Sequence, residues 1–131
     1  MKILVATQGN KGLDDIVSPV FGRAPTFTMV TVEEKEIKDV EVITNNAANA
    51  FRGAGIQAAQ VAVEKGANVV IAGNIGPNAS MVLEQSGIQI VTDFVGMKVK
   101  DAINAFLRGT KVTQLSTFPP TMIQKSKLDL E

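Results

Sequence analysis

Neither cysteine nor histidine occurs in the chain. Without cysteine there are no disulfides, no thiolate ligands and no thiol nucleophile. Without histidine the usual general base and the commonest metal ligand are missing. Histidine-based triads, zinc sites and cysteine-ligated iron–sulfur sites within one chain are thereby excluded, whereas carboxylates remain able to hold magnesium or manganese. Tyrosine and tryptophan are absent too, leaving six phenylalanines to stack on any base or ring. Thirteen basic residues balance thirteen acidic ones, so no global positive field draws the chain to nucleic acid or to an anionic membrane. No apolar run approaches the ~20 residues that span a bilayer. Met1 to Val5 is too short for a signal peptide and reads as a first strand, so the expected location is cytoplasmic.

What is present is a chain of 131 residues, 45% of them hydrophobic, enough for one domain with a real core. Asn68 to Ala79 organises the rest. Val69–Ala72 is a continuous apolar run suited to a strand buried on both faces. Gly73, Asn74 and Gly76 then allow a sharp turn, and Pro77 suits the first position of a helix. The unpaired N–H groups of Asn78, Ala79 and Ser80 would face the carboxyl end of the strand, where open α/β sheets bind ligands and where an anion is favoured.

Elsewhere, Lys2–Thr7 reads as a strand and Gln8–Asp15 as a polar loop. Ser18–Pro25 is irregular and mostly extended because of its two prolines. Thr26–Val32 and Ile37–Ile43 alternate as a hairpin across a charged link. Thr44–Arg52 is a loop. A helix from about Ile56 to Lys65, with Ile56, Ala59 and Val63 inward, stops at Gly66. A helix over Pro77–Gln85 turns Ala79, Val82 and Leu83 inward and stops at Gly87, and a short strand spans Ile88–Val91. Lys98–Arg108 is an amphipathic helix stopped by Gly109. Right-handed crossovers then place five strands in the order 3-2-1-4-5 with the second antiparallel, a ribonuclease-H-like three-layer α/β fold that implies no activity. This domain covers 1–110, and 111–131, with Pro119 and Pro120, is expected to be a loosely ordered tail.

The candidate site collects on one rim: Gln8, Gly9 and Asn10 after the first strand; Ser18 and Arg23 before the second; Asn45, Asn46, Asn49 and Arg52 after the third; Gly73, Asn74, Gly76 and Asn78 after the fourth. Amides, glycines and arginines cradle anions through N–H donors and guanidinium forks, although the same residues also simply make turns. Arg23 has two roles open: a ligand or partner contact, or an ion pair with Asp14 or Asp15. Most carboxylates fall on hairpins and exposed helix faces and read as solvated. Asp93 alone follows a parallel strand, which offers no converging set for two-metal chemistry. Gly9-Asn10-Lys11-Gly12 lacks the spacing of a phosphate loop.

Ser18-Pro-Val-Phe-Gly-Arg-Ala-Pro-Thr-Phe27, Asn46 with Gly53-Ala-Gly-Ile-Gln-Ala-Ala59, Gly73-Asn-Ile-Gly-Pro-Asn-Ala79 and Gly87-Ile88 together resemble the dinitrogenase iron–molybdenum cofactor biosynthesis family. The resemblance covers Met1 to about Arg108 and implies the same fold. It implies binding of an anionic iron–sulfur or iron–molybdenum cluster, or a precursor, rather than catalysis. Phe21, Gly22 and Arg23, with Gly53, Gly55, Gly73, Asn74 and Gly76, would then line the pocket. The nitrogenase-associated carriers are expected to use histidine or cysteine toward the cluster, and this chain has neither. A cluster would then have to be held by hydrogen bonds and arginine charge, with Met29 and Met81 as further candidates better suited to the core.

Three functions follow from these residues. The first is a non-enzymatic carrier for an anionic metal cluster or a related ligand. The second is a regulatory module that docks on a cluster-assembly protein without a cluster of its own. The third, the one the residues favour least, is a magnesium-dependent phosphoryl-transfer enzyme.

Overall fold

The computed structural model describes residues 1–109; the tail expected at 111–131 lies outside the described residues. Five strands form one sheet: β1 (Lys2–Thr7), β2 (Thr26–Glu33), β3 (Glu36–Thr44), β4 (Val69–Ile71) and β5 (Gln89–Val91). Their order is β3-β2-β1-β4-β5. The β1–β2 and β2–β3 pairs are antiparallel, and the β1–β4 and β4–β5 pairs are parallel. Glu34 and Lys35 turn the hairpin at φ 54° and 65°, the mirror-image turn whose twist matches that of its strands.

Three helices sandwich the sheet: α1 (Ala54–Glu64), α2 (Pro77–Gln85) and α3 (Val99–Leu107). Period-2 alternation sends successive side chains of each strand to opposite layers. Leu4, Ala6, Phe27, Met29 and Val70 pack with α1 and α2, and Ile3, Val5, Val30, Val69 and Ile71 pack with α3. This is the ribonuclease-H-like three-layer arrangement that the element order predicts.

One helix face differs from expectation. The buried residues of α1 are Ala54, Ala58, Ala59 and Ala62, while Ile56 is only half-buried and Val63 is 42% exposed. Alanines face inward because close approach of the helix to the sheet leaves no depth for a branched side chain. Met29 is a core residue, but Met81 lies exposed on α2.

The segment from Ile16 to Phe21 crosses the carboxyl edge of the sheet as a strap. Ser18 N–H donates to Ala6 O at the end of β1, and Ser18 O accepts from Gly73 N–H beyond β4. Asn74 N–H donates to Pro19 O, Phe21 N–H to Asn74 O and Val17 N–H to Met97 O. The strap thus fills the crevice between the diverging ends of β1 and β4, where a ligand would ordinarily enter. Gly73 permits this: a Cβ there would collide with the backbone of Pro19.

Candidate functional site

Displaced by the strap, the open space lies to one side of it. A cleft of about 390 Å³ runs between the turn Val20–Arg23 and the first turns of α1 and α2. Both helices begin there without a side-chain cap, α1 at Gly53 (φ 73°) and α2 at Gly76. The first intrahelical bonds are Gln57 N–H to Gly53 O and Ser80 N–H to Gly76 O. The amides of Ala54, Gly55, Ile56, Asn78 and Ala79 therefore have no acceptor among the described residues, and all five residues line the cleft. Ser80, expected to offer a third free N–H on α2, is already bonded. Pro77 at the first helical position has no N–H to leave unpaired.

Close backbone approach holds the two helix starts together. A Cβ on Gly22 would lie 2.7 Å from the Cα and N of Gly55, and one on Gly55 would lie 3.4 Å from Ala79 Cβ. Buried Asn45 fixes the turn from behind: its Nδ2 donates to Gly22 O and Ala24 O, and its Oδ1 accepts from Ala47 N–H. Phe21 is fully buried against Phe27, ring centroids 5.6 Å apart, and closes the floor. Two helix dipoles and the Arg23 guanidinium give the cleft a positive character, and no carboxylate lines it.

Arg23 pairs with neither candidate acid. Its Nη1 donates to Ala48 O at 3.0 Å and Ala50 O at 2.8 Å, its other N–H groups have no acceptor among the described residues, and the residue lines the cleft. Asp14 instead sits 3.3 Å from Lys100 Nζ. Asp15 is buried and accepts N–H groups from Gln8, Lys11 and Ile16. Burial pushes its carboxyl up, but the N–H bonds from Lys11, Ile16, Gln8 and Gly9 outweigh this and hold it below the ordinary 3.8. From sequence Asp15 is a possible ion-pair partner of Arg23; in the structure it accepts backbone N–H groups of its own loop instead. A carboxylate in a glycine loop after a strand was the available signal, since short loops that turn on themselves need an acceptor.

Phe21, Gly22, Arg23, Gly53, Gly55, Asn74, Gly76 and Asn78 thus meet at one cleft. Gln8 and Asn10 do not, because the strap lies between the loop after β1 and the cleft and Asp15 occupies that loop's amides. Gly73 packs under the strap, Asn46 is exposed on its loop, and Arg52 stacks outward over Phe51, 5.6 Å from the ring centroid. The apolar liners Val20, Ala54 and Ile56 were not singled out by their chemistry.

A second concavity of about 490 Å³ lies at the other edge of the sheet, between Met1, the β2–β3 turn and Phe106. Glu33, Glu34 and Lys35 line it and no helix begins there, so it lacks the converging amides of the cleft. Among the described residues no three acidic side chains gather as a metal site, and no helix is long and apolar enough to cross a membrane.

Comparison with known proteins supplies relatives for this geometry. The sequence is 36% identical over 109 residues to an uncharacterised protein of Methanocaldococcus jannaschii, covering 83% of this chain and 87% of the relative. The structure superposes on the apo form of the orange protein from Desulfovibrio gigas with a TM-score of 0.76 and 38% identity, over 82% of this chain and 88% of that one. A NifB-like protein from Thermotoga gives a TM-score of 0.69 at 33% identity, over 88% and 97%. The family model for dinitrogenase iron–molybdenum cofactor proteins matches residues 1–109, and the chain belongs to that family.

Proposed function

We propose that the protein is a non-enzymatic carrier that holds an anionic iron–sulfur or iron–molybdenum cluster, or a related anionic ligand, in the cleft between α1 and α2. The observation that carries this reading is the convergence of two uncapped helix N-termini, with Arg23, on one cavity. Nothing in the cleft is suited to acid–base or nucleophilic work. A cargo that needs thiolate or imidazole from the protein does not fit these donors. A cluster that arrives with its own sulfide ligands does, because sulfide accepts N–H bonds and the charge meets the dipoles and guanidinium. Family membership and likeness to a protein solved in an apo form support a bound state for the fold. The reading implies a cytoplasmic cluster-assembly protein as the partner that loads or unloads the cleft. Phosphoryl transfer through magnesium finds no group of acids to hold the metal among the described residues.

The test is anaerobic loading with ferrous iron, sulfide and molybdate, followed by visible absorbance and metal analysis of the purified protein. Wild type should retain chromophore and metal in fixed ratio to protein. Asn78→Asp puts a carboxylate at the α2 N-terminus, where it favours the helix but repels the cargo, so loading should fall roughly tenfold with no loss of thermal stability. Equal loading by Asn78→Asp and wild type would sink the cleft as the site.

A further inference from the structure

The loop that leads into α1 carries an 89% exposed phenylalanine, Phe51, the most exposed of the large apolar residues among the described residues. Its ring meets the guanidinium of Arg52, the next residue, and no other aromatic or cation–π partner among the described residues. On either side the backbone is tied. Asn45 holds the carbonyls of Gly22 and Ala24, and Arg23 holds those of Ala48 and Ala50. From Ala54 onward the chain is helix packed in the core. Between these fixed points, Phe51 and Arg52 take part in no hydrogen bond among the described residues. They lead into Gly53, which sits at φ 73° with nothing within 4 Å of a Cβ. Gly53 lines the cleft, and two peptide units place the Phe51 Cα within about 7.6 Å of it. An untethered pair ending on a glycine in open space is what a local hinge requires.

We infer that Phe51 and Arg52 form the outer wall of the loaded cleft, the ring covering the solvent side of the cargo and the guanidinium adding a second positive group to that of Arg23. The inference rests on the cleft being the binding site. Its physical basis is the asymmetry of the cleft. The inner side presents amides, Phe21, Ala54 and Ala79, while the outer side is open, so a bound anion keeps water on that face. Water there weakens each N–H interaction, and displacing it strengthens them all. An exposed Phe51 also has apolar area to bury on a large polarisable cluster face, which a small, strongly hydrated anion such as phosphate lacks.

The chain has no tryptophan, so Phe51→Trp introduces a single reporter. With the protein loaded from ferrous iron, sulfide and molybdate, acrylamide should quench that indole at least about twofold less efficiently than in the unloaded protein, after correction for lifetime. Phe51→Ala should release the chromophore to a chelator about tenfold faster than wild type, an effect of the order expected for exposing one aromatic ring, with unchanged melting temperature. Arg52→Ala should speed release less and flatten its salt dependence. If wild type loads but Phe51→Ala releases at the wild-type rate and quenching is the same loaded or unloaded, the outer wall is disproved and the cleft reading stands. If wild type does not load at all, the cleft reading fails and takes this inference with it.

Discussion

Two glycine- and asparagine-rich loops flank the strap, and they are built to opposite ends. The loop after β1, Gln8 to Asp15, turns on itself, and a buried carboxylate of its own chain gathers the amides of Gln8, Lys11 and Ile16. The turns that open α1 and α2 have similar residues but no internal acceptor, and their amides stay unpaired among the described residues. Asp15 does for the first loop what an external anion would do for the second. Composition alone marks both as anion cradles; the difference is whether the chain supplies the anion.

The largest effect that would break this comparison lies under the strap. Gly73→Ala drives a Cβ into the backbone of Pro19, an atom set that cannot yield without lifting the strap from β1 and β4. The expected loss is about 3 kcal/mol, measured by urea unfolding. Gly76→Ala, on the cleft side, meets nothing within 4 Å and has no positive φ, so it should stay within about 1 kcal/mol of wild type. Equal losses for the two would mean the cleft is as tightly built as the strap, and the contrast between closed and open regions would fail.

The next effect concerns the internal anion. Asp15→Asn keeps the shape but turns an amide donor toward N–H groups, and should cost about 2 kcal/mol at neutral pH. The pH dependence has a fixed sign. The folded state holds the Asp15 carboxyl below its ordinary 3.8, so the stabilisation is complete above that pH and fades as pH falls through the lower folded value. Thermal melts taken from pH 7 to about 3 should therefore show wild type losing its advantage over Asp15→Asn in acid, the two curves converging. A constant gap at every pH would show that the carboxylate charge contributes nothing and that the loop is held by shape alone.

Much of the architecture was legible because it rests on short-range patterns. The alternation of Thr26–Val32, the apolar run at Val69–Ala72 and the helix stops at Gly66, Gly87 and Gly109 each follow from local sterics and burial. Half of the cleft was legible for the same reason, since Gly53, Gly76 and Pro77 announce helix starts. The strap was not, because its bonds join residues as distant as Ser18 and Gly73, and no local pattern records them. With the strap unseen, the loop after β1 could not be separated from the cleft, and Gln8 and Asn10 were placed on a rim they do not share. Arg23 was open for a related reason: its acceptors are the backbone carbonyls of Ala48 and Ala50, which any sequence would have offered.

The inward face of α1 gives the smallest and most discriminating test. Hydrophobic weight points to Ile56, Ala59 and Val63, yet burial runs through Ala54, Ala58, Ala59 and Ala62. Ala58 is fully buried, so Ala58→Val must push two methyl groups into a packed layer and should cost about 1–2 kcal/mol. Val63 is 42% exposed, and Val63→Ala trades a little apolar contact for better helix propensity, a change within about 0.5 kcal/mol. The pair reverses the order that side-chain size suggests: deleting a valine is neutral while enlarging an alanine is not. Because α1 carries Gly53, Gly55 and the unpaired amides into the cleft, its distance from the sheet also sets where those donors sit. A variant that lifts α1, such as Ala58→Val, should therefore weaken cluster loading along with stability, and Val63→Ala should change neither.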